Sequence, residues 1–147
     1  MWPSYYQSSY SSLLQKFRIM HSEIIEFYQC IEFDLRRIYS GMCSDDFYDS
    51  MDELSDNNWG MLLNKLKKLD YSDGDPYFTK DEYKTLDEIR ARRNYWCHQC
   101  YLDFMYIQDD REQEERLQRL VKQLENERNR AEKLQRKMQD IYLNDFR

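Results

Sequence analysis

Residues 13–38 read LLQKFRIMHSEIIEFYQCIEFDLRRI. Within this stretch Leu13, Phe17, Met20, Ile24, Phe27, Ile31, Leu35 and Ile38 follow one another at steps of four and three, which stacks them on one face of an α-helix. A strand would need apolar residues at every second position, and the stretch does not have them. Gly41 reads as the stop of this helix. Upstream, residues 1–12 are uncharged and rich in Tyr and Ser, with too few aliphatic side chains for a core of their own, so they read as a tail.

The same periodicity recurs downstream. The acidic stretch Asp45 to Asp56 has room for a short helix through Phe47, Met51 and Leu54, and Asn57 or Asn58 can cap a helix carrying Leu62, Leu63, Leu66 and Leu69. Asp73-Gly74-Asp75-Pro76 reads as a turn. Thr79-Lys80-Asp81-Glu82 has capping-box spacing and predicts a helix start, with the helix continuing through Leu86, Ile89, Trp96, Cys97, Cys100 and Phe104. From about Arg111 to Leu143, Leu117, Leu120, Leu124, Ala131, Leu134, Met138 and Ile141 keep a seven-residue register in which Glu127 is the polar seam position. This is a long amphipathic helix resembling a coiled-coil strand, and the periodicity leaves open whether it folds back on its own chain or pairs with another.

Composition agrees with an all-α fold. Glycine and proline fill five of 147 positions, none after Pro76, which argues against sandwiches, barrels and glycine-rich phosphate loops. Leucine occurs 15 times against 11 for Val, Ile and Thr together. The expectation is a small up-and-down helical bundle in three stretches: a tail over 1–12, the bundle over 13–107, and the long helix over 108–147. A net charge of −6 argues against nonspecific coating of nucleic acid, which relies on Lys and Arg displacing counterions. No stretch is apolar enough to span a bilayer, and the start lacks the form of a secretory signal, so a cytoplasmic protein with reduced cysteines is expected.

Chemistry near neutral pH points to the two histidines, His21 and His98. His21, between Met20 and Ser22, reads as structural. On a helical wheel with Leu86 at zero, Ile89 lies at about 300°, Trp96 at about 280°, Cys100 at about 320° and Arg93 at about 340°. Cys97 and Cys100 are therefore assigned to the apolar face. Arg93 falls in the apolar stripe, where a guanidinium needs a carboxylate, an anion or an aqueous cleft. Asn94 at about 80° and His98 at about 120° are neighbours one turn apart beside the stripe. Arg93 and His98 are about 140° apart, so a straight helix does not aim both at one point, whereas a symmetric dimer would bring two sets together. Cys97-His98-Gln99-Cys100 also has the look of a metal or redox site, but only Cys30, Cys43 and His21 remain as further ligands of those types.

Arg93-Asn94-Tyr95-Trp96-Cys97-His98 resembles the signature of HEPN-domain ribonucleases: Arg, a polar residue that is often Asn, three variable residues, then His, on a late helix of a small helical bundle. The resemblance covers residues 13 to 107. It implies metal-independent RNA cleavage at a dimer interface, with no cofactor, leaving 2′,3′-cyclic phosphate ends. His98 would move the proton of the ribose hydroxyl or of the leaving oxygen, Arg93 would hold the scissile phosphate, and Asn94 would orient either. Arg90, Arg92 and Tyr101 are the candidate substrate contacts. An acidic residue on an earlier helix sometimes supports such sites, and Glu23, Glu26, Glu32 and Asp34 are all available. The resemblance points to a toxin or phage-defence effector with an antitoxin as a candidate partner; some relatives are toxins silenced by a nucleotidyltransferase that modifies a tyrosine two residues after the histidine, and here Cys100 stands there and Tyr101 follows it. The competing readings are a noncatalytic adaptor that captures a partner or self-associates through its C-terminal helix, a regulatory module that holds a nucleotide or phosphate, and an Arg93-Asn94-His98 network that merely ties helices together.

Overall fold

The computed structural model describes residues 4–43 and 59–146, with side chains from Ser9 onward on the first helix. The described residues form an all-α bundle: α1 (Ser4–Met42), α2 (Trp59–Ser72), α3 (Lys80–His98), a 3-10 turn (Cys100–Asp103) and α4 (Asp110–Ile141), which ends in a π-turn (Tyr142–Phe146). No described helix is long and apolar enough to cross a membrane. The acidic stretch Asp45 to Asp56 and the candidate caps Asn57 and Asn58 lie outside the described residues.

The heptad seam of α4 lies on α1 of the same chain. Ser9 donates to Glu114 at 2.7 Å, Arg128 donates to Glu23 at 2.5 Å, and Arg37 stacks over the Tyr142 ring at 3.7 Å. Each pair is 105 residues apart in sequence, so the two helices run parallel and hold one offset over about four heptads. Because the same offset recurs at both ends of the pair, the register is kept along it. Leu117, Leu120, Leu124, Ala131, Leu134, Met138 and Ile141 are all buried, in one core that also takes in Phe17, Ile24, Ile31, Leu35 and Ile38 of α1. The seam of α4 is therefore part of the bundle's own core.

α3 lies antiparallel to both long helices, since Glu82 meets Lys137, Arg92 meets Glu127, and Trp96 packs on Phe17. Its start is the capping box read from the sequence: Glu82 N–H donates to Thr79 Oγ1 at 3.1 Å, and Thr79 N–H donates to Glu82 Oε1 at 2.8 Å. The turn before it uses Gly74 at φ +78°, with Asp75 N–H donating to Asp73 Oδ1 at 3.0 Å. Buried Asp70 ties this turn down by accepting from Tyr77 N–H, Phe78 N–H and the Tyr83 hydroxyl. Trp59 Nε1 donates to the Leu86 carbonyl at 2.7 Å and locks α2 onto α3.

Four expectations are corrected. Residues 4–12 are helical, and Tyr10 packs against the core, so the Tyr/Ser segment extends α1. Gly41 lies one residue inside the end of α1 at Met42, and a Cβ there would sit 2.5 Å from the Phe146 ring that closes over it. α3 ends at His98, and the 3-10 turn, not a continued helix, carries Cys100 and leads to Phe104. Cys97, at about 20° on the wheel and so within the apolar arc, is nonetheless exposed in the last turn of α3, and Leu69 at the end of α2 is also left exposed.

Candidate functional site

The C-terminal half of α3 spreads its polar side chains over three sides. Arg93 turns toward α1 and forms an ion pair with Glu32, with the arginine side chain 31% exposed and the glutamate 15%. The four acidic candidates thus separate: Glu32 takes Arg93, Glu23 takes Arg128, Asp34 takes Arg37 at 2.6 Å, and Glu26 stays exposed. Burial raises the Asp34 carboxyl above its ordinary value despite the Arg37 guanidinium beside it.

Arg92 turns the other way, toward α4. Its Nε and Nη2 donate to the two carboxylate oxygens of Glu127 at 2.6 and 2.8 Å, and Trp96 Nε1 donates to the same carboxylate at 3.3 Å. The guanidinium also stacks over the Tyr95 and Trp96 rings, at 4.8 and 5.5 Å. Glu127, the polar position in an otherwise apolar seam, is thereby explained: it is the buried acceptor that fixes α3 against α4. Arg92, expected to touch substrate, is held in this clamp.

Asn94 and His98 point outward and are exposed. Among the described residues neither side chain has a hydrogen-bond or ionic partner. Arg90 is exposed on the same outer side. Arg93 and His98 do not meet within one chain, as the wheel predicts, since the guanidinium is drawn to α1 while the imidazole stays in solvent.

The backbone that carries His98 is held firmly. His21 Nε2–H donates to the Trp96 carbonyl at 2.5 Å, its ring stacked on Phe17 and edge-on to Tyr101. Cys100 Sγ lies 3.1 Å from the same carbonyl, and Gln99 N–H donates to Tyr95 O at 2.9 Å. His21 therefore closes the end of α3, a structural part that its spacing on α1 could not reveal. Tyr101, a candidate substrate contact, is half-buried against Phe17, His21 and Phe104. Burial raises its hydroxyl above the ordinary value, with Arg18 working against that shift.

All four cysteines are unbridged, and burial pushes the Cys100 thiol up to about 11, far from a reactive thiolate. Among the described residues no group of three or more His, Cys, Asp or Glu is arranged to hold a metal. Comparison with protein-family models, with curated proteins and with solved structures gives no match for this chain.

Proposed function

We propose that the chain is a metal-independent endoribonuclease of the HEPN type that acts in the cytoplasm as a homodimer, with Arg93, Asn94 and His98 at its site. The observation that carries this reading is the pair Asn94 and His98, exposed one turn apart on a rigidly held helix end and engaged by no described side chain. Polar side chains left open on a well-anchored element suit binding or catalysis better than packing. Arg93 supplies the cation, and its outward reach is governed by Glu32.

The chemistry needs two copies. Pairing of two protomers through the C-terminal ends of their α3 helices would bring the Arg93 of one toward the His98 of the other and leave the lysine end of α3 open. His98 then accepts the proton of a ribose 2′-hydroxyl as that oxygen attacks the adjacent phosphorus. The bond from phosphorus to the 5′-oxygen breaks, and the leaving oxygen takes a proton from water or from the second imidazole. Arg93 stabilises the charge that gathers on the non-bridging oxygens. The products are a 2′,3′-cyclic phosphate and a free 5′-hydroxyl. Asn94 orients the imidazole or the phosphate from one turn away.

The partner-capture reading would use the apolar seam of α4, and that seam is buried on α1 of the same chain. A partner could reach it only by prising α4 away. The test of the ribonuclease reading is incubation of total RNA with the purified protein in EDTA, followed by analysis of the 3′ ends. Cleavage with cyclic phosphate ends that disappears in His98→Ala is expected. Intact RNA, or cleavage that persists in His98→Ala, overturns the reading.

A further inference from the structure

Between α2 and α3 lies a cavity of about 240 Å³ lined by Leu63, Asn64, Lys67, Lys80, Tyr83, Lys84 and Asp87. One water needs only about 10–15 Å³ of such space, so a phosphate group fits with water to spare. Three lysines line it against one aspartate, in a chain whose net charge is −6. None of the three lysines forms an ion pair with a described residue; Lys67 lies over the Tyr71 and Tyr83 rings at 6.0 and 5.7 Å. Two neighbouring carboxylates are engaged elsewhere: Asp70 is buried and accepts from Tyr83, and Glu82 faces α4 and holds Lys137 at 2.6 Å; Asp81, Asp87 and Glu88 form no ion pair with the three lysines. Three cations kept together at a polar cavity repel one another unless an anion joins them.

The cavity shares a helix face with the candidate site. Lys80, Lys84, Asp87, Ala91, Asn94 and His98 follow at alternating steps of four and three, all are exposed, and on the wheel they fall within an arc of about 80°. From Lys80 to His98 the stripe rises about 27 Å along α3.

We propose that the α2–α3 cavity is a backbone-phosphate subsite for the RNA strand whose cleavage is assigned to His98, with Lys67, Lys80 and Lys84 as its cations. The proposal rests on the ribonuclease reading for the identity of the polymer. The strand lies along the outer stripe of α3, anchored at the lysine end and presented to Asn94 and His98 at the other. This gives an acidic protein a foothold for RNA away from the scissile phosphate that Arg93 is assigned to hold, and one that Arg92, clamped to Glu127, does not supply.

The test measures binding of a fluorescent 20-nucleotide single-stranded RNA to the full-length His98→Ala chain across a range of KCl concentrations. The comparison protein carries Lys67→Gln, Lys80→Gln and Lys84→Gln in addition. Loss of three phosphate contacts should weaken binding at least tenfold at 0.1 M salt, and flatten log K against log salt by about 2, at about 0.7 per contact. Lys→Arg at all three positions should bind like the parent. Unchanged affinity and slope in the glutamine variant overturns the subsite, even where His98-dependent cleavage is intact. Binding that is lost with the lysines while cleavage proves independent of His98 supports the subsite and refutes the ribonuclease reading. Inorganic phosphate titrated against the same lysines is the control arm: protection by phosphate with no lysine-dependent RNA binding makes this a small-anion site and overturns the RNA assignment.

Discussion

Arg92 and Glu127 face each other across α3 and α4 as a two-pronged ion pair, with the glutamate side chain only 8% exposed. Removing one partner strands a charge in the core. Arg92→Leu is expected to lower unfolding free energy by about 3 kcal/mol, with Trp96 Nε1 left as the remaining donor to Glu127. Arg92→Leu combined with Glu127→Leu should recover most of that loss, because both charges leave together. Urea titrations of the two variants check this, and a single variant as stable as wild type contradicts the clamp.

Gly41 meets Phe146 where a side chain would otherwise stand, so Gly41→Ala forces the ring away from α1. Alanine raises helix propensity by up to about 1 kcal/mol, whereas overpacking costs about 1–3 kcal/mol. Net destabilisation is expected, with faster amide exchange confined to the last turn of α4 and the residues after it. In a Phe146→Ala background the same substitution should stabilise. A stabilised Gly41→Ala single variant would contradict the contact.

Glu82 links the start of α3 to α4. Burial opposes its ionisation, but the Lys137 ammonium at 2.6 Å and the Thr79 N–H outweigh that and hold its carboxyl below the ordinary 4.5. With the folded value depressed, this stability is fully present above pH 4.5 and is lost as pH falls through the lower, folded value. Glu82→Gln keeps an acceptor for Thr79 and removes the charge. At pH 7 the variant should be less stable by about 0.5–1 kcal/mol, and the gap should narrow as pH falls below 4.5 and through the lowered folded value. A gap that acid leaves unchanged contradicts the assignment.

Arg93 and Glu32 set the position of the proposed phosphate contact. Glu32→Gln leaves a neutral acceptor and frees the guanidinium, so its effect should fall on kcat for RNA cleavage, by about tenfold, with little change in KM. Equal stability with lowered kcat marks Glu32 as a positioning residue. Unaltered kcat contradicts that role.

What could be read in the sequence follows from what periodicity encodes. The α1 and α4 stripes and the Thr79 capping box are local patterns, and each lies where its spacing puts it. Arg93 in the apolar stripe correctly demands a partner, yet choosing Glu32 over Glu23, Glu26 or Asp34 requires the rotation and height of α3 on α1. The 105-residue offset between α1 and α4 is a long-range fact that neither helix contains alone. The extension of α1 to Ser4 lacks an aliphatic stripe, and the missing side chain at Gly41 leaves space for a ring from the far end of the chain, which no local pattern shows. The lysine cavity joins α2 to α3, and its residues on α2 and α3 belong to two separate local patterns.

A site made from the Arg93 of one protomer and the His98 of its partner is tested most directly by mixing Arg93→Gln chains with His98→Ala chains and measuring RNA cleavage in EDTA. Arg93→Gln removes the charge but keeps a polar, helix-compatible side chain at a partly exposed position, and His98 is exposed, so both variants should fold and each alone should be inactive. Random exchange makes half the dimers mixed, each with one intact site of two, so the mixture should regain about a quarter of wild-type activity. A mixture as inactive as its components, with subunit exchange confirmed, contradicts the shared site.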